Sequence, residues 1–113
     1  MMVSLCVLAY NEAKILPSLL EDLKKQTYPH NLTEIVLVNS MSTDETKKIM
    51  ENFKITENDY HSITVVDNPK KIQARGWNVA IKNASGDVII RIDAHSHIPK
   101  EFVEKNMILQ ESG

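Results

Sequence analysis

The chain has 113 residues, the length of one ordinary domain, and its hydrophobic (42%) and charged (25%) contents are those of a globular protein. A net charge of −2 argues against a nucleic-acid partner, because nucleic-acid-binding domains carry a basic excess. A single cysteine excludes an internal disulfide and is typical of a reducing compartment. The first apolar run lacks a preceding cation and stops at Asn11, too early for a signal peptide or membrane segment, so we expect a cytoplasmic protein.

Apolar, β-branched segments alternate with segments of helical periodicity along the whole chain. The predicted strands are 3–9, 34–38, 62–66 and 88–92, and their largely continuous apolar runs are typical of buried strands. The predicted helices are 13–26, a segment that starts at the capping-box spacing of Ser42 and Glu45, 72–84, and 99–109. Pro17 is compatible with the first helix because it falls near its first turn.

Strands that alternate with helices imply right-handed crossovers, so the expected fold class is α/β, with a mostly parallel sheet of about four strands flanked by helices. Each predicted strand ends in polar residues, at 10–12, 39–44, 67–71 and 93–97. Because the carboxyl ends of parallel strands meet at one edge, we expect a site built from these four loops.

Asp93 and His95 follow the fourth predicted strand and are two residues apart. If the chain is still extended there, their side chains share one side, as two ligands of a single divalent ion require. Asp93 favours a hard ion, whereas an added imidazole widens the choice toward manganese or zinc. The alternative is that Asp93 is a turn acid and that His95 is a surface imidazole. His97 is more often structural or exposed than a ligand.

The sequence contains neither a dinucleotide fingerprint nor a P-loop motif, so a phosphate group would have to be met by a metal ion and by basic side chains. Lys70, Lys71 and Arg75 are the candidates, although they also suit a solvated helix start. Asp44 lies where a helix dipole favours an acid, which leaves a structural role equally open. Trp77 is expected in the core.

Four blocks of the chain, at 3–12, 35–46, 74–78 and 84–95, resemble family 2 glycosyltransferases and occur in the family's order. The likeness covers nearly the whole chain. The ending Asp93, Ala94, His95 is particularly similar to the succinoglycan-biosynthesis type of bacterial polysaccharide glycosyltransferase. The resemblance implies a GT-A fold that binds a nucleotide-diphosphate sugar with a divalent cation, manganese or magnesium, for transfer to a sugar or lipid-linked acceptor.

Matched position by position, the resemblance implies a nucleotide-sugar site in which Lys71 and Arg75 are the basic candidates. It also implies a metal site at Asp93 and His95. The site comprises Ala9, Tyr10, Glu12, Asn39, Asp44, Lys71, Arg75 and Asp93. The chain departs from the family pattern at Leu8, which replaces a common proline, at Asn39, which replaces an aspartate, and at His95, which replaces a second acid. The last two departures are expected to alter base preference and to favour manganese over magnesium.

The resemblance also implies a second, acceptor-binding half that carries the catalytic base. We therefore expect residues 1–113 to form a single domain, the truncated donor-binding half, with little transfer activity alone. An open sheet edge and a missing covering layer would leave apolar surface that favours self-association. Two alternatives are a metal-dependent hydrolase that uses Asp93, His95 and His97, and a non-catalytic α/β module.

Overall fold

The computed structural model describes residues 1–112, with side chains through residue 109. All four predicted strands and all four predicted helices are present, with ends shifted by a few residues. In chain order the elements are β1 (Val3–Ala9), α1 (Leu16–Lys24), β2 (Thr33–Asn39), α2 (Thr46–Thr56), β3 (Ser62–Asp67), α3 (Gln73–Asn83), β4 (Val88–Asp93) and α4 (Phe102–Ser112), with a short 3-10 turn at His30–Leu32.

The four strands form one sheet in the order β3-β2-β1-β4, and every neighbouring pair is parallel. The predicted α/β class is therefore confirmed. The pairing register aligns the strand ends, since Leu8 lies beside Asp93 and Val38, and Asn39 lies beside Asp67. All four strand-end loops consequently meet at one edge of the sheet, as the sequence predicted.

The two central strands are buried on both faces, because side chains alternate across the sheet and helices cover each face. One face of β1 and β2 packs against α1, α2 and α4. The opposite face carries Cys6, Val36 and Val38, which pack with Ala80 of α3. Burial raises the pKa of the Cys6 thiol to about 11, with a smaller contribution from the negative charge of Glu34.

The fourth strand is not the buried strand that its composition predicts. Ile89, Arg91 and Asp93 are exposed, and only the alternate residues turn toward the core. The physical reason is position, because β4 pairs with β1 alone among the described strands and α3 packs over β1 and β2. The apolar run of β4 therefore leaves one face uncovered.

The predicted capping box at Ser42 and Glu45 is wrong. The helix α2 begins at Thr46, and Glu45 makes no side-chain capping bond. The Ser42 hydroxyl instead accepts a hydrogen bond from the Asn11 backbone N–H at 2.9 Å. Asp44 takes the capping role, since its Oδ1 accepts the Thr46 backbone N–H at 2.9 Å.

A buried carboxylate, Glu34, ties together the amino ends of the strands. Its oxygens accept hydrogen bonds from the hydroxyls of Ser4 (2.6 Å) and Ser62 (3.2 Å), and from the backbone N–H of Ser85 (2.8 Å) and its hydroxyl (3.2 Å). Burial alone would raise the pKa of Glu34, but these hydrogen bonds outweigh it and leave the pKa below its ordinary value. Gly86 lies against this cluster, and a side-chain Cβ there would be 2.6 Å from the Ser4 hydroxyl oxygen.

Candidate functional site

A pocket of about 350 Å³ opens at the carboxyl edge of the sheet. The loops after β1, β2 and β4 and the start of α3 all contribute to it. Its lining comprises Leu8, Ala9, Tyr10, Glu12, Ser40, Lys71, Gln73, Trp77, Asp93 and His95. Ligands of open parallel sheets bind at this edge, so the pocket is the candidate site of the molecule.

The structure brings together most of the residues assigned to the site from the sequence. Ala9, Tyr10, Glu12, Lys71, Asp93 and His95 all line the pocket.

Asn39, Asp44 and Arg75 lie outside the pocket lining. Asn39 is buried, and its amide donates to the Asp67 carboxylate at 3.1 Å while its carbonyl accepts the Ser42 backbone N–H at 3.0 Å. Arg75 lines a neighbouring groove on the outer side of α3.

An acid, an imidazole and a second acid meet at the mouth of the pocket. His95 Nε2 lies 3.0 Å from Glu12 Oε1, and His95 Nδ1 lies 3.9 Å from Asp93 Oδ1. The assumption that the chain stays extended after Asp93 is wrong, since Ser96 N–H bonds to the Asp93 carbonyl and closes a turn. The turn still holds the imidazole beside Asp93. The Asp93 side chain is 68% exposed, so it is open to a ligand.

The loops after β1 and β2 are tied to each other by backbone-to-side-chain hydrogen bonds. The donors and acceptors are Asn11 N–H to Ser42 Oγ, Thr43 N–H to Asn11 Oδ1, Glu12 N–H to Thr46 Oγ1 and Ala13 N–H to Asp44 Oδ2. The hydroxyl of Thr46 also donates to Asp44, and this bond is the main cause that lowers the pKa of the Asp44 carboxyl. Asp44 therefore fixes the loop that carries Glu12 and does not face the pocket itself.

Three of the four strand-end loops, those after β1, β2 and β3, each contain one residue with a left-handed backbone. These residues are Asn11 (φ 50°), Met41 (φ 58°) and Lys71 (φ 61°). The left-handed region costs a non-glycine residue about 1 kcal/mol or more, and such residues cluster at binding sites. At Lys71 the unusual backbone occurs in the one basic residue of the pocket lining.

The ligand atoms that the pocket offers suit a cation that is coordinated partly by the protein and partly by a bound ligand. Among the side chains of residues 1–109, no group of three or more His, Cys, Asp or Glu is arranged to hold a metal ion. Asp93 and His95 offer two donors on one side of the pocket. Magnesium-type ions are usually held by one or two carboxylates together with substrate phosphates, which matches this sparse set.

The same geometry argues against the hydrolase alternative. His97 Nδ1 lies 3.6 Å from Asp22 Oδ2, next to α1, and the His97 side chain is 80% exposed. It does not line the pocket with Asp93 and His95. The hydrolase would therefore lack its third ligand within the described residues.

Two residues near the pocket were missed by the sequence reasoning. Asn68 is fully buried, and its amide donates to Ser40 Oγ (3.2 Å) and to the Ile72 carbonyl (3.0 Å). The Asn68 Oδ1 has no hydrogen-bond partner in the described part of the chain. Trp77 was expected in the core, but it is only half-buried and lines the pocket, with the Arg91 guanidinium 5.5 Å from its ring centroid. A polar residue directly after a strand was the available signal for Asn68.

Comparison with known protein families decides what this pocket belongs to. The model of glycosyl transferase family 2 matches residues 4–108. The chain belongs to this family. The resemblance found in the sequence is confirmed, and the expected GT-A fold is confirmed by the similarity to solved structures of GT-A glycosyltransferases.

Three relatives of this family 2 chain illustrate the match. The succinoglycan biosynthesis protein ExoA of Rhizobium meliloti is 35% identical over 97 residues, which cover 84% of this chain and 28% of ExoA. The structure of S. aureus TarS in complex with UDP-GlcNAc is similar to this chain with a TM-score of 0.82 and 30% identity. The match covers 99% of this chain and 32% of the TarS chain. The mannosyltransferase PcManGT from Pyrobaculum calidifontis, in complex with GDP-Man and Mn²⁺, has a TM-score of 0.85 at 29% identity over 94% of this chain and 31% of its own.

The chain thus spans about a third or less of the length of these relatives. Across residues 1–112, the helices are all too short or too polar to cross a bilayer.

Proposed function

We propose that this chain is the nucleotide-sugar-binding part of a glycosyltransferase that transfers a sugar from a nucleotide-diphosphate donor to an acceptor in polysaccharide or glycoconjugate synthesis. The observation that carries the proposal is the convergence of Asp93, His95, Glu12 and Lys71 in one pocket at the carboxyl edge of the sheet. Family membership and the complexes of TarS with UDP-GlcNAc and of PcManGT with GDP-Man support it.

The diphosphate of such a donor needs positive charge beside it. In our proposal Asp93 and His95 hold a manganese or magnesium ion, which as a Lewis acid would neutralise the charge on the leaving diphosphate. Lys71, which lines the same pocket, supplies a second positive charge. Glu12 holds the His95 imidazole at 3.0 Å and so fixes its orientation toward Asp93. The Mn²⁺ in the PcManGT complex supports a divalent cation.

The nucleoside would lie against the loops after β1, β2 and β3. Ala9 and Tyr10 line the pocket there. Asn39 and Asp44 lie at the two ends of the loop after β2 and shape it and the loop after β1 by their hydrogen bonds. Asn68 fixes the loops after β2 and β3, because its amide donates to Ser40 Oγ and to the Ile72 carbonyl. We place Arg75 at the outer margin of this nucleoside site.

The acceptor and the catalytic base are not assigned to residues of this chain. The share of each relative's length that the chain covers supports a further, acceptor-binding part that takes a sugar or a lipid-linked acceptor. We further propose a cytoplasmic location and a role in bacterial polysaccharide synthesis, which the buried cysteine and the similarity to ExoA support. The exposed side chain of Ile89, on the uncovered face of β4, supports self-association of this 113-residue chain.

Calorimetric titration with UDP, GDP and CDP, each with and without manganese, tests the proposal. We expect one nucleotide to bind in a manganese-dependent manner and Asp93→Ala to abolish that binding. Asp87→Ala is the matched control, because it removes the same charge at the opposite end of β4 and should leave binding unchanged. The proposal fails if none of the three nucleotides binds, or if Asp87→Ala and Asp93→Ala weaken binding equally.

A further inference from the structure

The segment that contains α3 carries only positive charge, although the chain as a whole is slightly acidic. The net charge of the whole chain is −2, yet the segment 68–86 contains four cations, Lys70, Lys71, Arg75 and Lys82, and no acid. This segment comprises α3 with the loops at its two ends. A surface of one sign is expected to attract a partner of the opposite sign.

These cations are not neutralised within the chain. None of the four lies within 4.0 Å of an acidic oxygen of the described residues, the distance at which Lys24, Lys47, Lys48 and Lys100 are paired. Their charge is therefore available to a partner outside the molecule.

The outer side of α3 combines this charge with exposed apolar side chains. The inner side, at Gly76 and Ala80, packs on the sheet. On the outer side, Lys70, Arg75 and Lys82 border a groove of about 370 Å³ that also contains Val79 and Ile81. Ile81 is 49% exposed, and Ile72, directly before the helix, is 60% exposed. We call the set Lys70, Ile72, Arg75, Ile81 and Lys82 the α3 basic surface.

We propose that the α3 basic surface docks on a bilayer that carries anionic phospholipid headgroups. Lysine and arginine side chains attract the headgroup phosphates, while adjacent isoleucines enter the boundary between headgroups and acyl chains. A nucleic acid would gain from the cations but not from the exposed isoleucines. Charge complementarity and interspersed apolar residues together favour the membrane surface.

Docking by this face would also orient the candidate pocket. Lys71, Gln73 and Trp77 belong to the same segment and line the pocket at the carboxyl edge of the sheet. The pocket would therefore open beside the bilayer, where a lipid-linked acceptor meets the donor. This consequence rests on the proposed function, whereas the docking itself does not.

Co-sedimentation of the 113-residue chain with vesicles tests the docking. We expect binding to vesicles of equal parts phosphatidylcholine and phosphatidylglycerol, little binding to pure phosphatidylcholine, and weaker binding as salt is raised. A cation near an anionic bilayer contributes about fivefold in affinity, so Lys70→Gln with Lys82→Gln should lower the partition coefficient by about 25-fold. Ile81→Ser should lower it several-fold without any change in charge.

The control is Lys54→Gln with Lys105→Gln, which removes the same charge from exposed positions on α2 and α4. This variant should bind like the parent chain, and circular dichroism should show that all variants are equally folded. Equal binding to both kinds of vesicle would overturn the proposal, as would an equal loss in the control variant. Binding to duplex DNA in preference to the anionic vesicles would overturn it in favour of a nucleic-acid partner.

Discussion

Replacement of Glu34 by alanine should destabilise the whole sheet, although the residue lies far from the candidate pocket. The carboxylate is 4% exposed and forms no ion pair within the described residues. Its charge is stabilised by hydrogen bonds alone, from β1, from β3 and from the turn between α3 and β4. One side chain thus joins segments that are far apart in the sequence.

The size of the effect follows from the two bonds that cannot be replaced easily. The Ser85 backbone N–H is fixed in place, and the Ser4 hydroxyl is enclosed and bonds at 2.6 Å. A hydrogen bond to a charged group contributes about 1.5–3 kcal/mol, and the variant no longer has to bury a charge. We expect Glu34→Ala to lower the free energy of unfolding by about 3 kcal/mol, a large part of the roughly 5–15 kcal/mol of an ordinary domain.

The pH dependence has a definite sign. Because the pKa of Glu34 is lower in the folded than in the unfolded chain, its stabilisation is fully present above the ordinary value of 4.5 and is lost as the pH falls through the folded-state pKa. Glu34→Gln lacks this titration. The difference in stability between the parent chain and Glu34→Gln should therefore shrink as the solution is made more acidic.

Urea denaturation followed by circular dichroism measures both effects, at neutral pH and at a series of pH values below 5. Glu21→Ala is the control, because it removes the same charge from the exposed surface of α1 and should change stability little. A loss smaller than about 1 kcal/mol in Glu34→Ala at neutral pH would refute the reasoning. A gap between the parent and Glu34→Gln that stays constant in acid would refute the assigned pKa shift.

Three further outcomes can be checked by denaturation, calorimetry and fluorescence. Gly86→Ala should cost about 2 kcal/mol in urea denaturation, because the new Cβ meets backbone and hydroxyl atoms of Ser4. At Gly76 the two atoms nearest to a new Cβ are the ends of the half-buried Leu8 side chain, which can move, so Gly76→Ala should cost less; equal costs would contradict this. Asp44→Ala should weaken nucleotide binding in calorimetry by releasing the loop after β1, and an unchanged affinity would show that this tie is dispensable. Trp77 is the only tryptophan, so its fluorescence should change when a nucleotide with manganese fills the pocket; a bound nucleotide that leaves it unchanged would place the ligand elsewhere.

The order and type of the elements could be predicted from the sequence, because continuous apolar runs and helical spacing are local signals. The convergence of Glu12, Lys71 and Asp93 at one edge followed from the parallel topology. The exposure of β4 could not be predicted, since an edge strand and a central strand of a parallel sheet share the same composition. Only the strand order distinguishes them.

Competition between hydrogen-bond partners explains much of what the sequence left open in the loops around the site. The Ser42 hydroxyl could cap the start of α2 or bond to the neighbouring loop. In the structure it accepts the backbone N–H of Asn11, in the loop after β1. Both oxygens of Asp44, which the resemblance assigns to the nucleotide-sugar site, accept backbone N–H groups, from Ala13 and from Thr46. The half-buried position of Trp77 depends on where α3 crosses the sheet, which no local pattern determines.

The strand order has a consequence for how the chain acquires its structure during synthesis. Among the four strands β1 is translated before the others, yet it occupies the sheet interior, and one of its two neighbours is β4, which is completed only at Asp93. At roughly 5–20 residues per second, a nascent chain therefore holds its most apolar strand without that neighbour for several seconds. The ribosome exit region and its associated chaperones would meet this strand before the sheet can close around it.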